Sequence, residues 1–127
     1  MKNISNHNIG LIGLGYWGPN ILRALLKNKQ CKVKTVVDKS SLRLKYARTL
    51  KPKLLVSKDI NLILNDKSID SVFICTPAFT HYEIAKKFLN KKKNVFVEKP
   101  IVTKKAQLTY LFNLAKKNNL LLMSGDQ

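Results

Sequence analysis

Acidic side chains are scarce in this chain: 7 Asp and Glu stand against 24 Lys and Arg, for a formal net charge of +17. Such a balance ordinarily points to nucleic acid or another anionic surface. The make-up of the charge points elsewhere. Arginine, which phosphate and base recognition favours, is nearly missing, since lysine outnumbers it 21 to 3. Aromatic residues do not alternate with the basic runs as a single-strand stacking platform requires. The lysines gather where helices should end, at Lys27 and Lys29, at 91–93 and at Lys116 and Lys117. A cation there complements the helix dipole. Specific nucleic-acid binding is therefore not expected; weak polyanion attraction at low salt is.

Other absences narrow the class further. The two cysteines, Cys31 and Cys75, lie far apart, with no Cys-x-x-Cys pair and no histidine at ligand spacing. That argues against a disulfide scaffold and against a metal site. No run of eighteen apolar residues exists, so no membrane-spanning helix is expected. The opening Met-Lys-Asn-Ile-Ser-Asn-His lacks an apolar signal core, which leads to a cytoplasmic expectation. The 127 residues suit one domain, 1–127, with a real core.

Glycine is also rare, and its placement is the most informative feature present. Of five glycines, three fall in Gly13-Leu14-Gly15-Tyr16-Trp17-Gly18. An apolar run from Asn8 to Ile12 precedes this loop, and a helical pattern from Trp17 to Asn28 follows it. Twenty residues after Gly18, the apolar run Val33 to Val37 stops at Asp38. Strand, glycine loop, helix, strand and acid form the layout of a dinucleotide-binding unit. Gly13 permits the tight turn, Gly15 lets backbone approach a pyrophosphate, and Gly18 lets the helix lie close to the strand. Asp38 is placed to accept the hydroxyls of an adenosine ribose. A purely structural glycine turn is the plainer alternative, and the strand, helix and acid in register weigh against it.

Apolar runs and helical patterns then alternate to the end. Ser40 or Ser41 caps a helix through Leu50; Leu54 to Val56 is a short strand; Asp59 caps a short helix ending near Asn65. A strand runs from Ile69 to Cys75 and stops at Thr76-Pro77, its continuous apolar character fitting burial on both faces. Thr80 and Glu83 have capping-box spacing at the start of a helix to Asn90. Asn94 to Glu98 is a fifth strand, closed by Lys99-Pro100; Thr103 caps the longest helix, to Asn118; Leu120 to Ser124 is a sixth strand. The prediction is an α/β fold, a doubly wound parallel sheet (Rossmann) in the order 3-2-1-4-5-6. On the last helix, Leu108, Leu111, Phe112 and Ala115 should face the sheet, while Tyr110 and Leu114 widen the apolar arc toward a second domain or partner.

Ligands of such a sheet sit at the carboxyl ends of the strands, where strand order reverses. The glycine loop, Asp38, Thr76-Pro77 with His81, and Glu98-Lys99-Pro100 should converge there. Together, Gly-Leu-Gly-Tyr-Trp-Gly-Pro-Asn, Val-Val-Asp, Cys-Thr-Pro-Ala-Phe-Thr-His-Tyr and Val-Phe-Val-Glu-Lys-Pro resemble the N-terminal domain of the Gfo/Idh/MocA oxidoreductases. The glycine-loop version is similar to the branch acting on sugar nucleotides. The resemblance implies hydride transfer between NAD, or NADP as second choice, and a sugar, sugar-nucleotide or polyol hydroxyl.

It also implies roles. Gly13 to Gly18 take the pyrophosphate, Asp38 the adenosine ribose, Thr76, Pro77 and His81 flank the dinucleotide, and Glu98 contacts the nicotinamide ribose. Lys99 stands beside the nicotinamide as the catalytic residue. Its own chemistry agrees: hydride leaves a carbinol carbon only as the hydroxyl proton is removed, and a lysine beside a cationic ring has its ammonium disfavoured. Orienting the hydroxyl is the alternative role for Lys99. His81 is equally readable as a plain first-turn residue, and Thr76-Pro77 as a strand end. Tyr16 and Trp17 are read as a wall of the cofactor cleft rather than as core.

The resemblance carries two departures. Family members have a second α/β domain that supplies substrate contacts, and the family's Gly-His after the last strand is Gly125-Asp126 here. The chain thus reads as a truncated or split product, inactive without a C-terminal substrate domain; the partners to expect are a separately encoded C-terminal domain or a homo-oligomer. A noncatalytic nucleotide-binding or interaction module shares every cofactor residue with this reading.

Overall fold

The computed structural model describes residues 7–124, and Gly125-Asp126 lies outside them. Six parallel strands, β1 (His7–Ile12), β2 (Cys31–Val37), β3 (Leu55–Ser57), β4 (Ser71–Ile74), β5 (Asn94–Val97) and β6 (Leu122–Ser124), form one sheet in the order 3-2-1-4-5-6. The crossovers are α1 (Gly18–Lys27), α2 (Ser41–Leu50), α3 (Asn61–Leu64), α4 (His81–Asn90) and α5 (Lys105–Lys117).

Two cores flank the sheet. On one face, Leu22 of α1 and Leu44 and Ala47 of α2 pack with Leu11, Val33 and Val36. On the other, Ile63, Ala85, Phe88, Leu89, Leu111 and Ala115 pack with Ile12, Val37, Val72, Ile74, Val95, Val97 and Leu122. The pleat explains this division, since alternate residues of each strand point to opposite faces. β4 is consequently not buried on both sides as its apolar run suggested: Val72 and Ile74 are fully buried, whereas Ser71 and Phe73 are half-buried. Register places Leu11, Phe73, Phe96 and Met123 in one row across the sheet. Leu11 is fully buried under α1 and α2, and exposure rises along the row to 42% at Met123. Phe73 and Phe96 shield each other by stacking at 4.6 Å.

Helix ends agree with sequence expectation where local chemistry decides them. The Ser40 hydroxyl accepts from the Arg43 amide at 3.2 Å, and α2 stops two residues before Pro52. The Thr80 capping box does not form. A single 3-10 turn, Ala78–Thr80, runs into α4 and puts Thr80 itself in the helical region, so its side chain does not reach forward to cap. Its hydroxyl donates to the Pro77 carbonyl at 2.6 Å instead. α5 begins at Lys105 after an uncapped Lys104, so Thr103 is not its cap. Along α5, Leu111 and Ala115 are buried and Leu108 is half-buried, but Phe112 is 44% exposed. Leu114, expected to turn outward, packs against the core, and Tyr110 lies edge-on to Tyr82 with 44% exposure. The contact arc of α5 is rotated toward Leu114 and away from Phe112.

Candidate cofactor cleft

All six strands end on one edge, and strand order reverses between β1 and β4, so a crevice opens there. Gly13 leaves β1 with φ +95°, its amide donating to the Val37 carbonyl at 2.8 Å. A Cβ on Gly13 would stand 2.6 Å from the Cys75 carbonyl oxygen. A Cβ on Gly18 would collide with the Gly13 carbonyl, so α1 can approach the loop only through a glycine. Gly15 is different: a Cβ there meets nothing within 4 Å. Its missing side chain answers no internal contact and leaves the backbone open to the crevice.

Asp38 is 9% exposed and ties two loops together. One carboxylate oxygen accepts the Leu14 amide at 2.6 Å, the other the Ser40 amide at 2.8 Å. Each oxygen keeps a second lone pair for a ligand hydroxyl. The sequence reading placed Asp38 opposite a ribose but did not show that the same carboxylate fixes the glycine loop. Nothing in the spacing could have shown it.

On the β4 side, the Thr76 hydroxyl lies 2.6 Å from that of Thr80, and Pro77 leads into the 3-10 turn. His81 is 1% exposed, with Nε2 2.8 Å from the Thr76 carbonyl and Nδ1 2.7 Å from the Pro100 carbonyl. Both its polar atoms are therefore spent on the protein. From β5, the Glu98 amide donates to the Ile74 carbonyl at 2.9 Å, continuing the ladder, and Lys99-Pro100 follows with a cis peptide. Glu98 is half-buried and Lys99 exposed. Beneath them, burial, with the Glu98 charge second, pushes the Cys75 thiol up to about 12, so it stays protonated and inert.

These pieces line one cleft of about 630 Å³. Of the residues singled out from sequence, Leu14, Gly18 and Pro100 are not in its lining, Gly18 packing behind the loop; the others line it. Tyr16, 86% exposed, and Trp17, 52% exposed, meet edge-on at 4.9 Å on its rim rather than in the core. Lys58, Ile60, Phe79 and Ile84 also line it, and sequence reasoning placed none of them there. Phe79 is 87% exposed beside Thr76-Pro77; an aromatic in a turn between strand and helix was the available signal. Lys39, Arg43, Lys58 and Lys99 outnumber Asp38 and Glu98 around the cleft, a balance suited to a dianionic pyrophosphate.

The profile of GFO_IDH_MocA, the oxidoreductase family with an NAD-binding Rossmann fold, matches residues 7–126. The chain belongs to this family. It is 31% identical over 120 residues to myo-inositol 2-dehydrogenase of Thermotoga maritima, covering 92% of this chain and 35% of that protein. KijD10, a 3-ketoreductase from Actinomadura kijaniata solved with TDP-benzene and NADP, superposes with a TM-score of 0.85 at 27% identity, over 94% of this chain and 37% of that one. GenD2 from gentamicin A biosynthesis, solved with NAD, shares the fold with a TM-score of 0.91 at 24% identity, over 98% of this chain and 36% of that one. The chain thus spans about a third of these relatives. A nicotinamide dinucleotide is the family's cofactor, and the residues of the cleft fit one: an open glycine backbone, a buried carboxylate with lone pairs to spare, and a cationic rim.

Proposed function

We propose that this chain is the dinucleotide-binding part of a cytoplasmic oxidoreductase that moves hydride between NAD and a sugar, sugar-nucleotide or polyol hydroxyl. The observation that carries the reading is the convergence of Gly13–Gly18, Asp38, Thr76-Pro77 and Glu98-Lys99 on one cleft. The bound nicotinamide supplies or accepts the hydride. Asp38 accepts the adenosine ribose hydroxyls, and its charge disfavours a 2′-phosphate, which makes NADP second to NAD. Lys39 and Arg43 beside it leave NADP weakly tolerated. Glu98 holds the nicotinamide ribose. Lys99 Nζ takes the hydroxyl proton as hydride leaves the carbinol carbon.

Cofactor binding needs only residues present here. Catalysis needs the carbinol held about 3–3.5 Å from the ring with water excluded, and the mouth that exposes Lys99 offers one wall for this. The chain alone is therefore expected to bind cofactor without appreciable turnover. Calorimetric titration with NADH and NADPH, using Asp38→Ala as control, tests the first half; preference for NADPH, or no loss on removing Asp38, reverses the cofactor assignment. Supplying a C-terminal substrate domain and assaying UDP-sugar uronates, inositol and hexoses tests the second. Lys99→Ala should then abolish turnover while sparing NADH binding.

The open cleft equally serves a noncatalytic module that senses the reduced-to-oxidised cofactor ratio. Cofactor binding with no turnover under any substrate-domain partner would favour that second reading.

A further inference from the structure

Asp38 stands where the first three strands end, and hydrogen bonds from all three exits meet there. Its own amide donates to the Ser57 carbonyl at 3.1 Å, and the Val37 carbonyl beside it accepts the Gly13 amide at 2.8 Å. Its carboxylate accepts the Leu14 amide at 2.6 Å on one oxygen and the Ser40 amide at 2.8 Å on the other. Gly13 and Leu14 open the glycine loop, so the amides of both are spent on the end of β2. The donors that a pyrophosphate meets are the amides from Gly15 onward, in the turn that leads into α1. A Cβ at Gly15 would touch nothing within 4 Å, so this stretch is positioned from its two ends. One end is Gly18, packed against the Gly13 carbonyl. The other is the Leu14 amide on Asp38.

We propose that Asp38 is a positioning residue for the pyrophosphate as well as a ligand of the ribose: by holding the Leu14 amide, it aims the amides from Gly15 onward into the cleft. The role rests on the cofactor reading for the identity of the ligand. The tie itself rests on bonds of fixed polarity, since a backbone amide only donates and a carboxylate only accepts. The two duties are compatible, because each oxygen keeps a lone pair for a hydroxyl. Amide bonds to a carboxylate are of the strong, charge-assisted kind, and this one is nearly closed to water, with Asp38 9% exposed and Leu14 2%. Without the acceptor, a buried amide is left unpartnered and the loop must shift to find another. Cofactor preference is tied to the same bond. Lys39, Arg43 and Lys58 also line the cleft, and with the acid gone they could take a 2′-phosphate. A chain without the acid, however, loses the loop geometry on which NAD and NADP depend alike. A substitution at position 38 therefore does not convert the site to NADP.

The two duties separate when one is taken away at a time. The full chain and Asp38→Ala are titrated calorimetrically with NADH, with NADPH, and with an NADH analogue lacking both hydroxyls of the adenosine ribose. Each titration is run well below the protein's thermal midpoint, so that lost stability does not enter. The analogue offers the carboxylate nothing, so a residue that only binds ribose leaves its affinity unchanged. Asp38→Ala is expected to bind the analogue about tenfold more weakly than the parent does, and NADH about a hundredfold more weakly. Loss of a negative charge by itself strengthens binding of all three anions, so a weakening cannot come from the charge. NADPH should gain nothing from the substitution. Equal affinity of the two proteins for the analogue, or tighter NADPH binding by Asp38→Ala, overturns the proposal. In the unaltered chain, NMR reads the tie directly as a coupling across the hydrogen bond, from the Leu14 amide nitrogen to the Asp38 carboxyl carbon. Should Asp38→Ala fail to fold, that coupling decides. Its persistence in the analogue-bound chain, with shifts at the Gly15, Tyr16 and Trp17 amides, supports the role, and its absence overturns it. A parent chain that binds none of the three ligands sinks the cofactor reading, and the coupling still judges the tie.

Discussion

At the carboxyl edge of the sheet, side chains are held by the backbone and their remaining valences face open space; at the amino edge, the backbone is held by side chains and little is left over. Asp38 accepts two amides and keeps lone pairs toward the cleft. Across the sheet, where helices end and strands begin, lysines do the reverse. Lys93, 4% exposed, donates to the Asp66 carbonyl at 2.7 Å and the Ile69 carbonyl at 2.9 Å. Lys51 reaches the Val33 carbonyl at 3.2 Å, and Lys34 bonds both Asp66 and Ser68 at 2.7 Å. Crowding leaves its mark: burial, and then the nearby charges of Lys32 and Lys53, lower the Lys51 pKa. Two of the cations that swell the net charge, Lys51 and Lys93, are thus internal donors to carbonyls, and Lys34 is held by a carboxylate and a hydroxyl. The comparison teaches that the same formal charge signals ligand binding at one edge and structure at the other.

The sharpest way to break this comparison lies within the carboxyl edge itself. Gly13→Ala puts a Cβ against the Cys75 carbonyl in a backbone conformation that L residues avoid, and should destabilise the chain by about 3 kcal/mol or more in urea unfolding. Gly15→Ala meets no atom and should leave stability within about 0.5 kcal/mol. It should nevertheless weaken NADH binding about tenfold or more, because the added methyl occupies space a pyrophosphate needs. Equal stability losses from the two variants would mean that Gly15 serves the fold, not a ligand.

Next in size is Lys93→Met at the amino edge. It keeps the buried stem but takes the Nζ donor away from the Ile69 carbonyl and from the Asp66 carbonyl, which retains only the Ile69 amide at 3.1 Å. A loss of about 2 kcal/mol is expected, offset in part because burial already lowers the lysine pKa. NADH affinity should not change. A variant that folds as well but binds cofactor poorly would dissolve the division between the two edges.

How far the sequence could be read follows from the range of the forces involved. Strand order was legible because buried apolar runs, Gly13–Gly18 and the crossover rules each act locally or by topology. The cleft members were legible because each stands at a strand's end. What was not legible depended on partners distant in sequence. Phe112 satisfies the helical pattern as well as Leu114 does, and only the docking angle of α5 exposes one and buries the other. The Thr80–Glu83 spacing promises a cap, but the preceding turn had already committed Thr80 to helix. His81 shows the same limit: the carbonyls its ring meets come from a strand exit five residues back and a turn nineteen residues on, and no periodicity announces both.

The smallest expected effect, and the finest test of the amino edge, is the pH response of Asp66. The Lys34 ammonium beside it, helped by Ser68, holds its carboxyl down at about 2. A folded-state pKa below the unfolded value means the carboxylate stabilises the fold at pH values above the ordinary carboxylate range, near 4. That contribution fades as pH falls from about 4 through about 2, and is gone below both values. Taken at face value the shift would be worth more than 2 kcal/mol by linkage. The two side chains are 33% and 20% exposed, however, and solvent screens such a pair to about 0.5–1 kcal/mol. Asp66→Asn should therefore lower stability by that amount at pH 6, by nothing measurable at pH near 2, and by less in about 1 M salt than in dilute buffer. Thermal midpoints of the two proteins across that pH series read the difference directly. A gap that persists at acid pH or in high salt would show that Asp66 acts through its hydrogen bonds to Ser68, at 2.9 Å from the amide and 2.7 Å from the hydroxyl, rather than through the lysine charge that distinguishes this edge.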